Sequence, residues 1–356
     1  MATADVTVMG AGIFGLACAH VCAGRGARVR VVEWSHPGAG ASGTPVGALS
    51  PHVPEGWNDK KQFQFESLVM AEPFWAEVEA VSGRETGYCR VGRYQPVADE
   101  AALARAEARG REAETLWQGA AIWRVIGVHE AGGFAPQSPS GYLIHDTLSA
   151  RIAPRAACAA LAGAIRARGG ELALGAEGPV EGRVIWATGY PGLAALSADL
   201  GEAVGSGVKG QAAIFEFDAS GAPQIYADGI LIVPHADGTV AVGSTSERDF
   251  DDPYRTDARL DEVIARARAI CPALKTAEVV ERWAGIRPRA KSIAPMLGPW
   301  PGRPGHFVAN GGFKIGIGLA PKVAEVMADL VLEGRDTGIP AGFRVEANLG
   351  AQRRPR

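Results

Sequence analysis

Apolar and polar positions follow two different periods along this chain, and the places where one period gives way to the other mark its elements. Val6-Thr7-Val8-Met9 is a short β-branched run ending at glycine, the pattern of a buried strand, and residues 12–24 follow as a helix of small residues. Arg28 to Glu33 (RVRVVE) predicts a second strand, and Ser35 to Gly56 a loop rich in Gly, Ser and Pro. Helical spacing covers 61–82 and 99–118, with strands over 88–97 and Ile122 to Val128. Pro154 opens a helix to Arg168, since proline fits a first turn. Strands near 171–174 and 183–187 lead to Thr188-Gly189. From Gly207 to Gly243 the pattern is β: AAIFEF, then ILIVP and TVAVG joined across Asp237-Gly238, a hairpin signal. Asp257 to Ile270 reads as a helix, 278–287 as extended, His306 to Ala309 as a strand, and Leu319 to Leu332 as a final helix with Pro321 in its first turn. The chain from Arg335 onward reads as loosely ordered.

Helices alternate with strands in three separated blocks, about 1–80, 145–205 and 290–335, with β-rich stretches between them. That arrangement predicts an α/β fold: one sheet assembled from discontinuous segments, with an inserted β-rich α+β domain. The boundaries expected are 1–85, 141–206 and 286–340 for the first domain, 86–140 and 207–285 for the second, and 341–356 as a tail. A length of 356 residues suits two or three domains at about 150 residues each.

Composition narrows the classes. With 47% hydrophobic and 21% charged residues the chain is a folded globular protein, not a disordered or collagen-like one. Its 47 glycines follow no fixed period and read as tight loops. A net charge of −3 and the lack of any basic stretch give no electrostatic support for nucleic acid or an anionic membrane as partner. Five scattered cysteines (Cys18, Cys22, Cys89, Cys158, Cys271), with no CxxC, point to a reducing compartment. The most apolar stretch, Val6 to Gly24, is broken by Gly10, Gly12, Gly15 and His20, so it reads as neither signal peptide nor membrane span, and a cytoplasmic location is expected.

The strongest motif is Gly10-Ala11-Gly12-Ile13-Phe14-Gly15, between a strand and a helix, with Glu33 closing the next strand. A dinucleotide needs this arrangement. The first glycine makes the turn, the second lets the backbone approach the pyrophosphate, and the third lets helix and strand pack closely. The acid receives the ribose hydroxyls. A second match, Gly205-Ser206-Gly207-Val208-Lys209-Gly210, follows no clear strand and is expected to be a loop, leaving one dinucleotide site. Cys18 and Cys22 lie one helical turn apart and read as small packing residues rather than a redox pair. There is no HExxH, Cys/His metal cluster, GxSxG or Walker loop. The fingerprint by itself does not choose between NAD and FAD.

Four matches along nearly the whole chain resemble the D-amino-acid-oxidase (DAO) superfamily of FAD-dependent oxidoreductases, in particular glycine and sarcosine oxidases. They are GAGIFG with Glu33; Gly40-Ala41-Ser42-Gly43 with Gly47-Ala48-Leu49; VIWATG, Val184 to Gly189; and Gly285-Ile286-Arg287-Pro288, Pro295-Met296-Leu297-Gly298 and Gly311-Gly312-Phe313-Lys314-Ile315-Gly316 before the last helix. The resemblance implies a Rossmann-type FAD-binding domain and a substrate domain. It implies cofactor contacts from Gly10, Ala11, Gly12, Ile13, Phe14, Gly15, Glu33, Trp34, Ala41, Ser42, Gly43, Gly47, Ala48, Leu49, Thr188, Gly189, Gly312, Lys314, Ile315, Gly316 and Ile317. The segment 283–290 lacks the cysteine that tethers FAD in sarcosine oxidases, so the flavin is expected to be non-covalent. Leu231 replaces the strand-end tyrosine of glycine oxidase.

Arg287 and Lys314 sit among glycines, proline and apolar residues, where a cation needs an anionic partner. That partner is either a protein carboxylate or, as the resemblance implies, the carboxylate of a substrate. His52 and His235 are further candidates for the substrate pocket, and Trp283, Trp57 and Tyr226 for its apolar walls. The activity implied is oxidation of the Cα–N bond of a small amino acid or secondary amine by hydride transfer to flavin N5, followed by imine hydrolysis. No residue is assigned as acid or base, and O2 or another acceptor is the reoxidant. Two alternatives stay open. The stretch ASGTPVGALSP also resembles the oxidase domain of a bifunctional tRNA wobble-uridine modification enzyme, and a non-catalytic flavin-binding protein would share the fingerprint.

Overall fold

A glycine turn directly after the first strand sets the course of the chain in the computed structural model, which describes residues 4–175 and 180–350. Val6–Met9 pairs in parallel with Val29–Glu33 on one side and Arg183–Trp186 on the other. Glu171–Leu174 and His306–Asn310 extend this sheet in parallel, and Met296–Pro299 closes its edge antiparallel, giving six strands drawn from three distant stretches of chain. The first helix, Ile13–Gly24, is buried from Ile13 to Ala23, so it has no polar face. It is wedged between the helices Pro154–Ala167 and Gly316–Ala328, and Asp59–Ser82 covers both of those.

The second sheet has eight strands, in the spatial order Glu278–Ala290, Gly205–Glu216, Thr239–Gly243, Ile230–Pro234, Gln224–Ala227, Arg93–Pro96, Tyr142–Asp146 and Trp123–Gly127. One face is covered by the helix Ala258–Ile270, which buries Leu260, Val263, Ile264, Ala267 and Ile270 along one stripe. The expected hairpin is present. Asp237 accepts hydrogen bonds from the Thr239 amide (3.1 Å) and hydroxyl (2.6 Å), and Gly238 takes φ +81°.

Several elements differ from the sequence-based expectation. The second glycine motif, Gly205 to Gly210, is not a loop. It begins a twelve-residue strand that pairs antiparallel with Glu278–Ala290 along its whole length, a partner more than seventy residues later. Its glycines make room for side chains from across the ribbon: a Cβ on Gly207 would lie 2.6 Å from Ile286, and one on Gly210 would lie 2.0 Å from the Arg287 guanidinium. The boundaries expected at 206/207 and 285/286 therefore fall in mid-strand, and the far end of the ribbon packs on an unanticipated helix, Gly189–Leu200. Tyr142–Asp146, expected in the first domain, pairs into the eight-stranded sheet. The last helix starts at Gly316, three residues early, and is continued by a π-helical stretch over Asp329–Glu333.

The segment after Arg335 is packed rather than loose, up to the last described residue. Ile339, Phe343, Val345 and Leu349 are buried, and the Phe343 ring lies 4.9 Å from that of Phe63. Residues 351–356 of the expected tail lie outside the described residues. Phe343 is 1% exposed, so Phe343→Ala should cost about 3–5 kcal/mol through lost burial and the cavity left behind. Chemical denaturation should show that loss, and a change below about 1 kcal/mol would mean the segment is not part of the core.

Candidate active site

The N-terminal turn is closed to any side chain. Gly10 has φ +100°, and a Cβ there would lie 2.6 Å from the Ala187 carbonyl oxygen. A Cβ on Gly15 would lie 2.0 Å from the Gly10 oxygen. The Ala11 amide donates to Glu33 Oε2 (2.8 Å) and the Ile13 amide to Ser42 Oγ (2.9 Å). Gly12, the helix N-cap, contributes no side chain, so the positive helix end faces outward bare apart from Ser42. Trp34, just past Glu33, is 86% exposed, an unusual state for an indole.

Three of the other predicted segments touch this turn, and a fourth, Gly47 to Leu49, packs against residues 150–154 and the last helix. Ala41–Gly43 forms a single 3₁₀ turn, with Ser42 reaching the first helix. Gly47 lies so close to Ile152 that a Cβ would be 1.8 Å from its carbonyl oxygen. Ala48–Leu49 pairs with Ala150–Arg151, and the Leu49 Cα lies 3.7 Å from where a Gly318 Cβ would stand. Thr188 precedes the helix Gly189–Leu200, and the Gly189 carbonyl accepts from Asn310 Nδ2 (2.8 Å). Gly312 and Gly316 lie against the Phe14 ring. Two helix N-termini whose own cap residues, Gly12 and Ile315, make no side-chain hydrogen bond are thereby brought side by side.

Between Gly311 (φ +74°) and Lys314, Phe313 holds φ +47°, a conformation costly for a residue with a Cβ. Its amide donates to the Pro288 carbonyl (3.1 Å), and the Arg289 and Lys314 cations lie 5.8 and 5.7 Å from its ring centroid. The turn is thus pinned to the strand that carries Arg287. The Arg287 Nη1 donates to the Thr245 carbonyl (3.1 Å) and Nη2 to Ser244 Oγ. Burial pulls its pKa down to about 10, an effect opposed by the charge of Glu247. Lys314 is also lowered, by burial and then by the neighbouring Arg287 guanidinium, although its side chain keeps an exposed surface. No carboxylate among the described residues lies within 4.0 Å of either cation, so the internal ion pair that sequence reasoning allowed is not formed.

The two histidines have partners of their own. His52 is half-buried, with its amide donating to Gln64 Oε1 (2.8 Å) and its Nδ1 in contact with the same oxygen. His235 is buried, with Nδ1 3.2 Å from Thr239 Oγ1 and the Pro45 backbone carbonyl nearby. Burial lowers both pKa values, which favours the neutral form of each ring. Neither shares a hydrogen bond with Arg287 or Lys314. Trp283 borders a cleft of about 440 Å³ with His36, Arg155 and the 37–43 loop, beside the glycine turn: the Gly38 amide donates to the Ala11 carbonyl (2.8 Å). Cys18 and Cys22 are buried, and burial pushes the Cys22 thiol up to about 12, where it carries no thiolate. Among the described residues no His, Cys, Asp or Glu cluster could hold a metal, and no helix is long and apolar enough to cross a membrane.

Sequence reasoning missed Ser244, Thr245 and Gly210, which surround the Arg287 guanidinium. The run of glycines at 205, 207 and 210, and the polar run Ser244 to Glu247 after a hairpin, were the available signals.

Comparisons with known proteins agree with this geometry. A family model described as FAD dependent oxidoreductase (DAO) matches residues 5–330. A glycine oxidase of Pseudomonas putida is 34% identical over 144 residues, which cover 40% of this chain and 40% of that relative's length. A glycine oxidase of Geobacillus kaustophilus is 27% identical over 97% of each chain, and the crystal structure of glycine oxidase from that organism superposes with a TM-score of 0.84 at 24% identity, over 98% of this chain and 100% of that one. The structure of an iminodiacetate oxidase from Chelativorans sp. BNC1 gives 0.81 at 23% identity, over 94% and 97% of the two chains. With glycine turn, bare helix ends and family model in agreement over most of its length, this chain belongs to the DAO family of FAD-dependent oxidoreductases.

Proposed function

We propose that this FAD-dependent enzyme oxidises the Cα–N bond of a small amino acid or secondary amine whose carboxylate is held by Arg287 and Lys314. The observation that carries this reading is the pair of cations Arg287 and Lys314, with no carboxylate partner within 4.0 Å among the described residues, on the strand and on the glycine turn that the Phe313 amide ties together. Two like charges held on the same strand and turn, one of them largely buried, favour an anion from outside the chain.

The residues present fit FAD. Gly10, Ala11, Gly12, Ile13, Phe14 and Gly15 form the pyrophosphate cradle, and Glu33 receives the ribose hydroxyls with Trp34 beside it. Ala41, Ser42 and Gly43, with Thr188 and Gly189, line the path to the ring. Gly47, Ala48, Leu49, Gly312, Lys314, Ile315, Gly316 and Ile317 would border the ring, and the uncapped end of the last helix would favour negative charge there. When bound, FAD accepts the hydride that leaves the substrate α-carbon, and O2 or another acceptor reoxidises it. The six-stranded sheet with its helices is the FAD-binding unit, and the eight-stranded sheet covers the substrate.

This chain's own part is positioning. Arg287 spends two of its five N–H donors on Thr245 and Ser244, leaving a fork for a carboxylate, while Lys314 adds a point charge from another direction. Holding the carboxylate aims the Cα–H. The substrate amine reacts in its neutral form, so no protein base is required, and neutral His52 and His235 serve as pocket walls. The imine product is hydrolysed by water.

Three outcomes test the reading. Acid precipitation of the yellow protein should release all of its flavin as FAD, and flavin retained on the polypeptide would contradict non-covalent binding. Arg287→Met and Lys314→Met should each lose about 1.5–3 kcal/mol of binding, roughly ten- to a hundredfold in kcat/KM, with carboxylate-bearing substrates and much less with a matched amine lacking the carboxylate. Full activity of both variants on amino acids would end the assignment. Lys314 titrates below the ordinary lysine value and must be charged to bind, so KM should rise as the pH climbs through that lowered value. Lys314→Met should remove this alkaline limb, and a limb that survives the substitution belongs to another group.

A further inference from the structure

Behind Arg287, on the opposite face of the eight-stranded sheet, lies a buried polar cluster that the proposed reaction does not use. Side chains alternate along Gly205–Glu216: Gly210 underlies Arg287, so its neighbours Lys209 and Gln211 point to the other face, toward the start of the helix Ala258–Ile270. Lys209 is 3% exposed, Gln211 0% and Glu247 8%. Charges are seldom buried this deeply unless every group is satisfied.

Here Gln211 and Glu247 are hydrogen-bonded in one particular order, and Lys209 is held by charge alone. Gln211 Nε2 donates to Glu247 Oε1 (2.9 Å) and Asp257 Oδ1 (2.8 Å), and its Oε1 accepts from the Asp257 amide (2.8 Å). Glu247 Oε2 accepts from Arg259 Nη1 (2.8 Å) and lies 4.0 Å from Lys209 Nζ, which is 3.9 Å from Asp257. Two acids and two bases neutralise one another. The Thr245 hydroxyl is fully committed: it accepts from the Gln211 amide (2.9 Å) and donates to Glu247 Oε1. With that side chain locked, the Thr245 carbonyl and the adjacent Ser244 hydroxyl are fixed toward the other face, where both accept from Arg287.

We propose that Thr245 and Glu247 are positioning residues for Arg287: Glu247 orients Thr245, Thr245 presents its carbonyl to one nitrogen of the guanidinium, and the free donor edge is thereby aimed at the substrate carboxylate. Glu247 also supplies, at one remove, a negative field for a cation that has no direct carboxylate partner among the described residues. Because no carboxylate among the described residues pairs with it directly, the Arg287 charge is only partly compensated, and a substrate anion completes it. The cluster thus stabilises a geometry while leaving the site's net charge free for binding. The inference rests on Arg287 binding the carboxylate.

The test uses the FAD-loaded enzyme and acetate as the smallest stable monocarboxylate, with its Kd read from the change in the flavin absorbance band. Thr245→Val keeps the shape and removes the hydroxyl relay, and should weaken acetate binding about tenfold, while Thr245→Ser should restore it. Glu247→Gln should weaken it in the same direction. With an amino-acid substrate, KM should rise in Thr245→Val while kcat at saturation changes little, a split that a general loss of stability would not give. Should Glu247→Gln fail to fold, the Thr245 pair, which alters one buried hydroxyl, decides the matter. Thr245→Val binding acetate as tightly as the parent, while Arg287→Met has lost it, overturns the positioning role and leaves the carboxylate assignment standing. Arg287→Met binding acetate as tightly as the parent overturns that assignment, and the positioning role with it.

Discussion

The contact between the Gly10–Gly15 turn and the strand end at Ala187 leaves no room for one methyl group, and the architecture depends on it. A Cβ at Gly15 would stand 2.0 Å from the Gly10 oxygen, and one at Gly10 would stand 2.6 Å from the Ala187 oxygen. This closeness lets the first helix sink between the helices Pro154–Ala167 and Gly316–Ala328, buried on every side. It also sets Phe14 against Gly312 and Gly316, joining the first turn of the chain to one three hundred residues later. An added side chain at either position would push helix from sheet and separate the two bare helix ends.

The second constraint is electrostatic. The long ribbon formed by Gly205–Glu216 and Glu278–Ala290 carries Arg287 into a desolvated place, and Gly210 supplies the space for its guanidinium. Burial of an unpaired charge works against folding. The fold offsets part of that cost with two oxygen acceptors and the distant charge of Glu247, and leaves the rest uncompensated. The Phe313 turn, with its left-handed backbone, is tied to the same strand and brings Lys314 within reach of the same field. Strained backbone and unpaired charge thus coincide, as expected where stability has been exchanged for binding.

Much of the fold was legible wherever the determining interactions are local. The strand, glycine turn, helix and acid at residues 6–33 are specified within thirty residues, as is the hairpin closed by Asp237 and Thr239. The Ala258–Ile270 helix announces itself by one apolar stripe and an Asp257 cap. Elements that depend on distant partners were not legible. Gly205 to Gly210 matches a phosphate-binding turn letter by letter, yet its pairing with residues 285–290 makes it a strand. The chain after Arg335 has little local pattern, and only the hydrophobic ground prepared by Phe63 and its neighbours orders it.

The same division runs through the site. From residue order follow the dinucleotide turn, the acid at Glu33 and the two cations set among glycines and apolar neighbours, because each is a statement about nearby residues, and the resemblance of four segments along the chain added the family of flavin enzymes. Tertiary structure alone decided that neither cation finds a carboxylate among the described residues, that Arg287 rests on Ser244 and Thr245, and that a neutral cluster around Glu247 stands behind them. Those facts depend on through-space distances between strands forty to eighty residues apart, and a sequence records such distances only once the chain has folded.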